Sequence, residues 1–241
     1  MIYIINNDLK SLYSAIFLAY EKKHTNIKIY NKDAQLSIFD EVIDVKINDL
    51  KAKRVETLLK KILKGNFNEI KLAFRSGNDD KNTVIFNYLR EVINAKKDIS
   101  ENFSNKSVYS FYEIVNKVKK EIHHLKGFIR FSKTKEGIYY AKFLPDNDVC
   151  DLILPHFKSR FKSMPFILHD YKFDCLCAYN GNESKIIRQK ISSLTVKDDI
   201  NSLFKTYYDS VNIKERKNTR VMTNFLPKRY HVNMPEKNEL L

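Results

Sequence analysis

The sequence predicts an α+β fold in which mixed β-sheets pack with about six to eight helices. Short runs of Ile, Val and Tyr are typical of strands, and they alternate with segments whose apolar residues recur every three or four positions, as on one face of a helix. A hydrophobic content of 43% with 30% charged residues argues against a disordered chain. No apolar run reaches the length of roughly 18 residues that a membrane span needs.

The first hundred residues predict an N-terminal α/β segment. Ile2, Ile4 and Ile5 favour a short buried strand, and Asn7 or Asp8 is expected to cap the helix that follows. The next predicted elements are strands near residues 27–30 and 43–47, a basic helix capped by Asn48 or Asp49, and a helix around residues 82–94.

A polar stretch at residues 94–106 predicts the boundary between this segment, residues 1–100, and a C-terminal α+β domain, residues 101–241. The second domain is expected to run helix, hairpin, helix, strands, helix. Its predicted parts are a helix with an apolar stripe from Val108 to Leu125, a hairpin over 128–143, a helix capped by Asp146 or Asn147, strands near 165–169, 173–179 and 184–189, and a helix at 197–211.

Charge is the strongest functional signal in the composition. The chain has 43 Lys and Arg against 29 Asp and Glu, a formal net charge of +14. Such a charge favours polyanionic partners, including nucleic acid, although a lysine-rich solvated surface would give the same count. Three cysteines are too few for a disulfide framework, and the N-terminus has no signal-peptide pattern, so a cytoplasmic protein is expected.

Three basic clusters are candidate phosphate-binding surfaces, with aromatic residues nearby for base stacking. In each case a solvated or internally paired set of charges is the alternative. The first cluster is the stretch Lys117–Phe131, with Lys119, His123, Arg130 and Phe131 as the candidate contacts. The second is His156–Phe161, with His156 and Arg160. The third spans residues 213–230, with Arg216, Arg220, Lys228, Arg229 and Tyr230.

Evidence for other chemistry is weaker. Glu121, His123, His156 and Asp170 are candidate general acid–base groups if a pocket shifts their pKa values. Cys175 and Cys177 fall on one strand face, but without a second cysteine pair they favour buried thiols over a zinc site, and no metal or cofactor is expected. No phosphate-binding glycine loop of the nucleotide-binding kind is present.

At these same stretches the sequence resembles a bacterial family of DNA metabolism or DNA repair proteins. The similarity holds in order over roughly residues 108–236, although Phe166 and His124 depart from the family pattern. The matching segments are Glu121–Phe131, His156–Phe161, Ile167–Asp170, Tyr179–Gly181, Leu203–Tyr208, Ile213–Asn218 and Leu226–Tyr230.

Members of that family typically accompany a radical-SAM protein, and many are fused to a uracil-DNA-glycosylase-like domain. The resemblance therefore implies a DNA-associated protein of a bacterial repair or modification system, acting as an accessory, nucleic-acid-binding partner of a radical-SAM enzyme. The alternative is a nucleotide- or base-processing repair enzyme that uses the His, Asp and Glu residues above. A third hypothesis is a module whose basic face docks an acidic protein.

Overall fold

The computed structural model describes residues 1–32, 34, 41–134 and 137–188. The chain divides into two compact units, Met1–Lys119 and Lys120–Leu241. The predicted helix at 197–211 and the third basic cluster lie outside the described residues. No helix in the described part of the chain is long and apolar enough to cross a membrane.

The first unit is built on a three-stranded parallel sheet in the order β2-β1-β3. The strands are β1 (Ile2–Ile5), β2 (Lys28–Asn31) and β3 (Val42–Asp44). All four residues of β1 are buried, as expected for a central strand that is covered on both faces. The helices of this unit are α1 (Leu9–Glu21), α2 (Asp49–Leu63), α3 (Phe67–Phe74), α4 (Lys81–Ala95) and the first part of α5 (Lys106–Phe128).

Side-chain caps fix where two of these helices begin. The Asp8 carboxylate accepts a hydrogen bond from the Ser11 backbone N–H at 2.8 Å, and the Asn48 side chain accepts one from the Lys51 N–H at 3.0 Å. Each bond satisfies one of the amide groups that a first helical turn leaves unpaired. The structure therefore selects Asp8 and Asn48 from the alternatives that the sequence left open.

The second unit contains a five-stranded mixed sheet in the order β4-β5-β6-β7-β8. The strands are β4 (Ser132–Lys133), β5 (Tyr139–Phe143), β6 (Phe166–Asp170), β7 (Cys175–Tyr179) and β8 (Ser184–Arg188). Strands β5 and β6 are parallel, and α6 (Cys150–Phe161) forms the connection between them and packs against β6 and β7. The other neighbouring strands are antiparallel.

The α+β class is confirmed, with one parallel and one mixed sheet, but the prediction of six to eight helices is wrong. The described residues contain five helices of 12 residues or more, namely α1, α2, α4, α5 and α6. The remaining helical segments are the eight-residue α3 and a 3₁₀ turn at Lys64–Asn66. The predicted total included the helix at 197–211, which the described residues do not contain.

The predicted hairpin is also much shorter than the sequence indicated. Helix α5 continues through Gly127 to Phe128, so residues 128–131 do not form a strand. Only Ser132 and Lys133 pair with β5, and the main partner of β5 is the distant strand β6. A local turn signal at Gly137 therefore could not indicate the dominant strand pairing.

Candidate functional site

Two of the three predicted basic clusters meet where the end of α5 lies beside α6. Lys126 near the end of α5 and Arg160 on α6 are both close enough to His156 to act on its charge. Burial, followed by these two cations, lowers the pKa of His156. The His156 Nε2 atom is buried and has no hydrogen-bond partner among the described residues. We call Lys126, His156 and Arg160 the cationic triad.

The orientation of α6 explains why Arg160, one member of the triad, is exposed. Phe157 is fully buried and contacts Phe131, Phe161 and Phe166, with ring centroids 5.1–6.5 Å apart. Because Phe157 faces the core, Arg160 on the neighbouring face of the helix is exposed. The predicted division of α6 into an aromatic face and a polar face is thus observed.

Other predicted cations of the first cluster lie along α5. His123 and Lys120 are exposed, and Lys120 forms no ion pair with a described residue. Lys119 is exposed as well, but its Nζ atom lies 2.8 Å from the Glu69 carboxylate. This exposed ion pair is worth little in free energy, so it leaves Lys119 able to exchange Glu69 for another anion.

Arg130 and Phe131 take roles that the sequence did not predict. The Arg130 guanidinium donates a hydrogen bond to the Gly127 carbonyl at 2.8 Å and therefore helps to close the C-terminal end of α5. Phe131 is only 8% exposed and packs 4.6 Å from the Phe161 ring. The prediction that Phe131 stacks on a base is corrected, because its ring is part of the core.

Glu121, a predicted acid–base group, is 3% exposed and is surrounded by donors. Its carboxylate accepts hydrogen bonds from the backbone N–H groups of Asp146 and Asn147, each at 2.8 Å, and from the Asn147 side chain at 2.6 Å. These bonds hold the turn that leads into α6. The geometry is that of a structural carboxylate rather than of a proton-transfer group facing a substrate.

Asp170, the second predicted carboxylate, is fully buried at the end of β6. One oxygen accepts hydrogen bonds from the Lys172 and Phe173 N–H groups at 2.9 and 3.0 Å, whereas Oδ2 has no hydrogen-bond partner within the described ranges. Burial raises the pKa of Asp170 to about 7, and the two N–H donors oppose that rise.

The neighbouring His169 belongs to a separate polar network. Its Nδ1 atom lies 2.9 Å from the Tyr140 hydroxyl, which in turn lies 2.9 Å from the Tyr171 hydroxyl. The His169 ring also stacks on Tyr171 with centroids 4.0 Å apart, and burial lowers the pKa of His169. Of the four predicted acid–base residues, Glu121 and Asp170 each hold a turn. His123 is exposed on α5, and His156 belongs to the cationic triad, so the four lie in separate local settings.

The structure also brings together three side chains that the sequence did not connect. Cys150 at the start of α6 lies beside Cys175 and Cys177 of β7, all three are buried, and their Sγ atoms lie within 4.8 Å of one another. Because side chains alternate between the two faces of a strand, the sequence predicted that Cys175 and Cys177 share one face. The position of Cys150 depends on how α6 packs on the sheet, and no local sequence pattern contains that information.

The third basic cluster has no residue in the described part of the chain. Arg216, Arg220, Lys228, Arg229 and Tyr230 lie outside the described residues. Their participation in a common surface with Lys126 and Arg160 stays a prediction.

The second unit is thus an α+β domain with a mixed five-stranded sheet and a cationic triad between two helices. The model of a family described as a domain of unknown function (DUF4130) matches residues 79–236, and the chain belongs to this family. The match includes all of α4 and α5 and the whole sheet of the second unit. No curated protein matches the chain.

Proposed function

We propose that this chain binds nucleic acid through the cationic triad and serves as an accessory partner of a radical-SAM enzyme in a bacterial DNA repair or modification system. The observation that supports binding is the meeting of Lys126, His156 and Arg160, which come from two predicted clusters; Arg160 is exposed and the other two are half-buried. The assignment to DNA repair or modification depends on the family resemblance described above.

Electrostatics explains why a polyanion suits this position. Lys126 and Arg160 form no ion pair with a described residue, and together they disfavour a third positive charge on His156. Phosphate groups would relieve this repulsion and would release the counterions that surround nucleic acid. The net charge of +14 adds a longer-range attraction of the same sign.

Arg160 supplies the geometry that a lysine alone lacks. Its planar guanidinium can bind two phosphate oxygens at once, and it lies on a helix that the buried Phe157 ring anchors to the core. Lys126 adds a second cation near the end of α5. These contacts recognise the backbone of nucleic acid and carry no base specificity.

The proposal is tested by measuring binding of the full chain to fluorescent single- and double-stranded DNA oligonucleotides by anisotropy, over a range of salt concentrations. We expect affinity to fall steeply with salt. In the double variant Lys126→Gln, Arg160→Gln, we expect binding to weaken at least about tenfold at low salt, and the slope of log K against log salt to fall by about 2.

A matched control removes the same charge from the first unit. Lys71 and Lys97 are exposed lysines that form no ion pair with a described residue, so Lys71→Gln, Lys97→Gln lowers the net charge equally. We expect this control to bind within about twofold of the wild type. Absence of DNA binding at low salt, or equal weakening in both double variants, would contradict the proposal.

A further inference from the structure

We propose that Cys150, Cys175 and Cys177 form a buried three-thiolate site for a thiophilic d¹⁰ metal ion, Zn²⁺ or Cu⁺. These are all three cysteines of the sequence, and the fold gathers them in one place. Soft thiolate ligands select Cu⁺, Zn²⁺ and iron–sulfur clusters over hard cations. The inference is independent of the proposed function, because it concerns a different part of the second unit.

The sulfur positions are close to those that such an ion requires. The Cys150 and Cys177 Sγ atoms are 3.5 Å apart, and all three Sγ atoms lie within 4.8 Å of one another. A metal–sulfur bond of about 2.3 Å implies sulfur–sulfur separations of about 3.8–4.0 Å in tetrahedral or trigonal coordination. An ion therefore needs the sulfur separations to change by up to about 1 Å, a distance that rotation of the cysteine side chains can supply.

The fold supplies this geometry from two rigid elements. Cys175 and Cys177 are two residues apart on β7, so both side chains project from the same face of the sheet. Helix α6 packs on β7, and Cys150 is the first residue of that helix. The packing of α6 on β7 therefore brings the Cys150 thiol to the two thiols of the strand.

A second polar group lies on the same face. Asp170 is the direct cross-strand partner of Cys175, and opposed residues of an antiparallel pair project from the same side of a sheet. Its Oδ2 atom is buried and has no hydrogen-bond partner in the part of the chain that the structure describes. The three sulfurs alone lie within 4.8 Å of one another among the described residues, so Zn²⁺ would complete its coordination with a water or with Asp170 after movement of that side chain, whereas Cu⁺ is satisfied by three thiolates.

Binding converts three thiols into three thiolates, so each ion that enters releases three protons to solvent and no electron is transferred. In the ion-free form the Cys150 thiol, a weak donor, lies 3.6 Å from the Cys175 carbonyl and 3.9 Å from the Leu168 carbonyl, which can accept its S–H. The carbonyls therefore accommodate the neutral thiols until an ion takes the protons' place.

The experiment uses the full chain, reduced and stripped with a chelator. One sample is then loaded with Zn²⁺ and another, without oxygen, with Cu⁺, and unbound metal is removed by desalting. We expect about one ion per chain from at least one probe, by elemental mass spectrometry. We also expect a thiolate-to-metal charge-transfer band in the ultraviolet, with Co²⁺ as the spectroscopic substitute for Zn²⁺, and a higher unfolding temperature for the loaded chain.

Two variants separate this site from adventitious binding. Cys177→Ser removes one ligand, and we expect metal content to fall at least about fivefold with loss of the charge-transfer band. Leu176→Ala truncates a buried side chain on the same strand but keeps all three sulfurs, so it should retain the ion.

Loading below about a tenth of an ion per reduced, folded wild-type chain with both metals would overturn the proposal, as would a wild-type spectrum without thiolate charge transfer. Unchanged metal content in a folded Cys177→Ser chain would overturn it as well.

Discussion

At the scale of single residues, Glu121 shows how a predicted catalytic group can be a structural one. Its carboxylate accepts three described hydrogen bonds. Two come from backbone N–H groups of the turn that leads into α6, and one comes from the Asn147 side chain. We expect Glu121→Ala to lower the free energy of unfolding by about 3 kcal/mol, because it leaves buried donors unpaired. We expect Glu121→Gln to cost about 1–2 kcal/mol, because its amide group would face a donor. Urea unfolding followed by circular dichroism measures both.

The control for Glu121 is Glu113→Gln on the same helix. Glu113 is exposed and pairs with Lys117 at 2.8 Å, an arrangement that contributes little to stability. We expect its unfolding free energy to stay within about 0.5 kcal/mol of the wild type. A Glu121→Gln chain as stable as the wild type would refute the structural assignment and would restore Glu121 as an acid–base candidate.

At the scale of secondary-structure elements, the first turn of α1 tests the choice between two neighbouring caps. The Asp8 carboxylate bonds to the Ser11 N–H at 2.8 Å, whereas Asn7 is exposed. We therefore expect Asp8→Ala to lower the free energy of unfolding by about 1 kcal/mol, and Asn7→Ala to change it by less than about 0.5 kcal/mol. The reverse order in chemical denaturation would show that Asn7 is the cap in solution.

Elements were predictable where their cause is local. The apolar run of β1, the caps of α1 and α2, and the apolar stripe of α5 all depend on residues that are close together in sequence. The pairing of β5 with β6 joins residues more than 25 positions apart through α6, and turn signals near Gly137 favoured a local hairpin instead. The cysteine cluster has the same origin, because Cys150 reaches β7 only through the packing of α6.

In the candidate binding site, too, features with a local cause were predictable from the sequence and features that depend on packing were not. The face of α6 that presents Arg160 followed from the spacing of Phe157 and Phe161, so the exposed cation was predictable. The burial of Phe131 was not, since an alternating Phe–Ile–Arg–Phe run is equally compatible with a strand face and with a core segment that follows a helix. The proximity of Lys126 to His156 was not predictable either, because it depends on how the end of α5 packs beside α6.

At the scale of the whole molecule, positive charge would link the proposed DNA binding to pH through His156. In the free folded chain, burial, Lys126 and Arg160 lower its pKa below the value of 6.5 expected in the unfolded chain. The unfolded chain therefore takes up the proton first, and stability is lost as pH falls from about 6.5 towards the lowered pKa. Bound phosphates act in the opposite direction, because they offset both cations and raise the pKa of His156 in the complex.

We therefore expect DNA affinity to increase as pH falls from about 8 to about 6, with up to one proton taken up per bound chain. His156→Gln should remove most of this dependence while binding at pH 8 changes little. His24→Gln is the control, since His24 lies in the first unit with its Nδ1 atom 2.7 Å from the Tyr3 hydroxyl, and it should keep the wild-type slope. The measurement is anisotropy across this pH range at constant ionic strength. Equal pH slopes in the wild type and His156→Gln would show that DNA does not bind at the triad, whatever the total charge contributes.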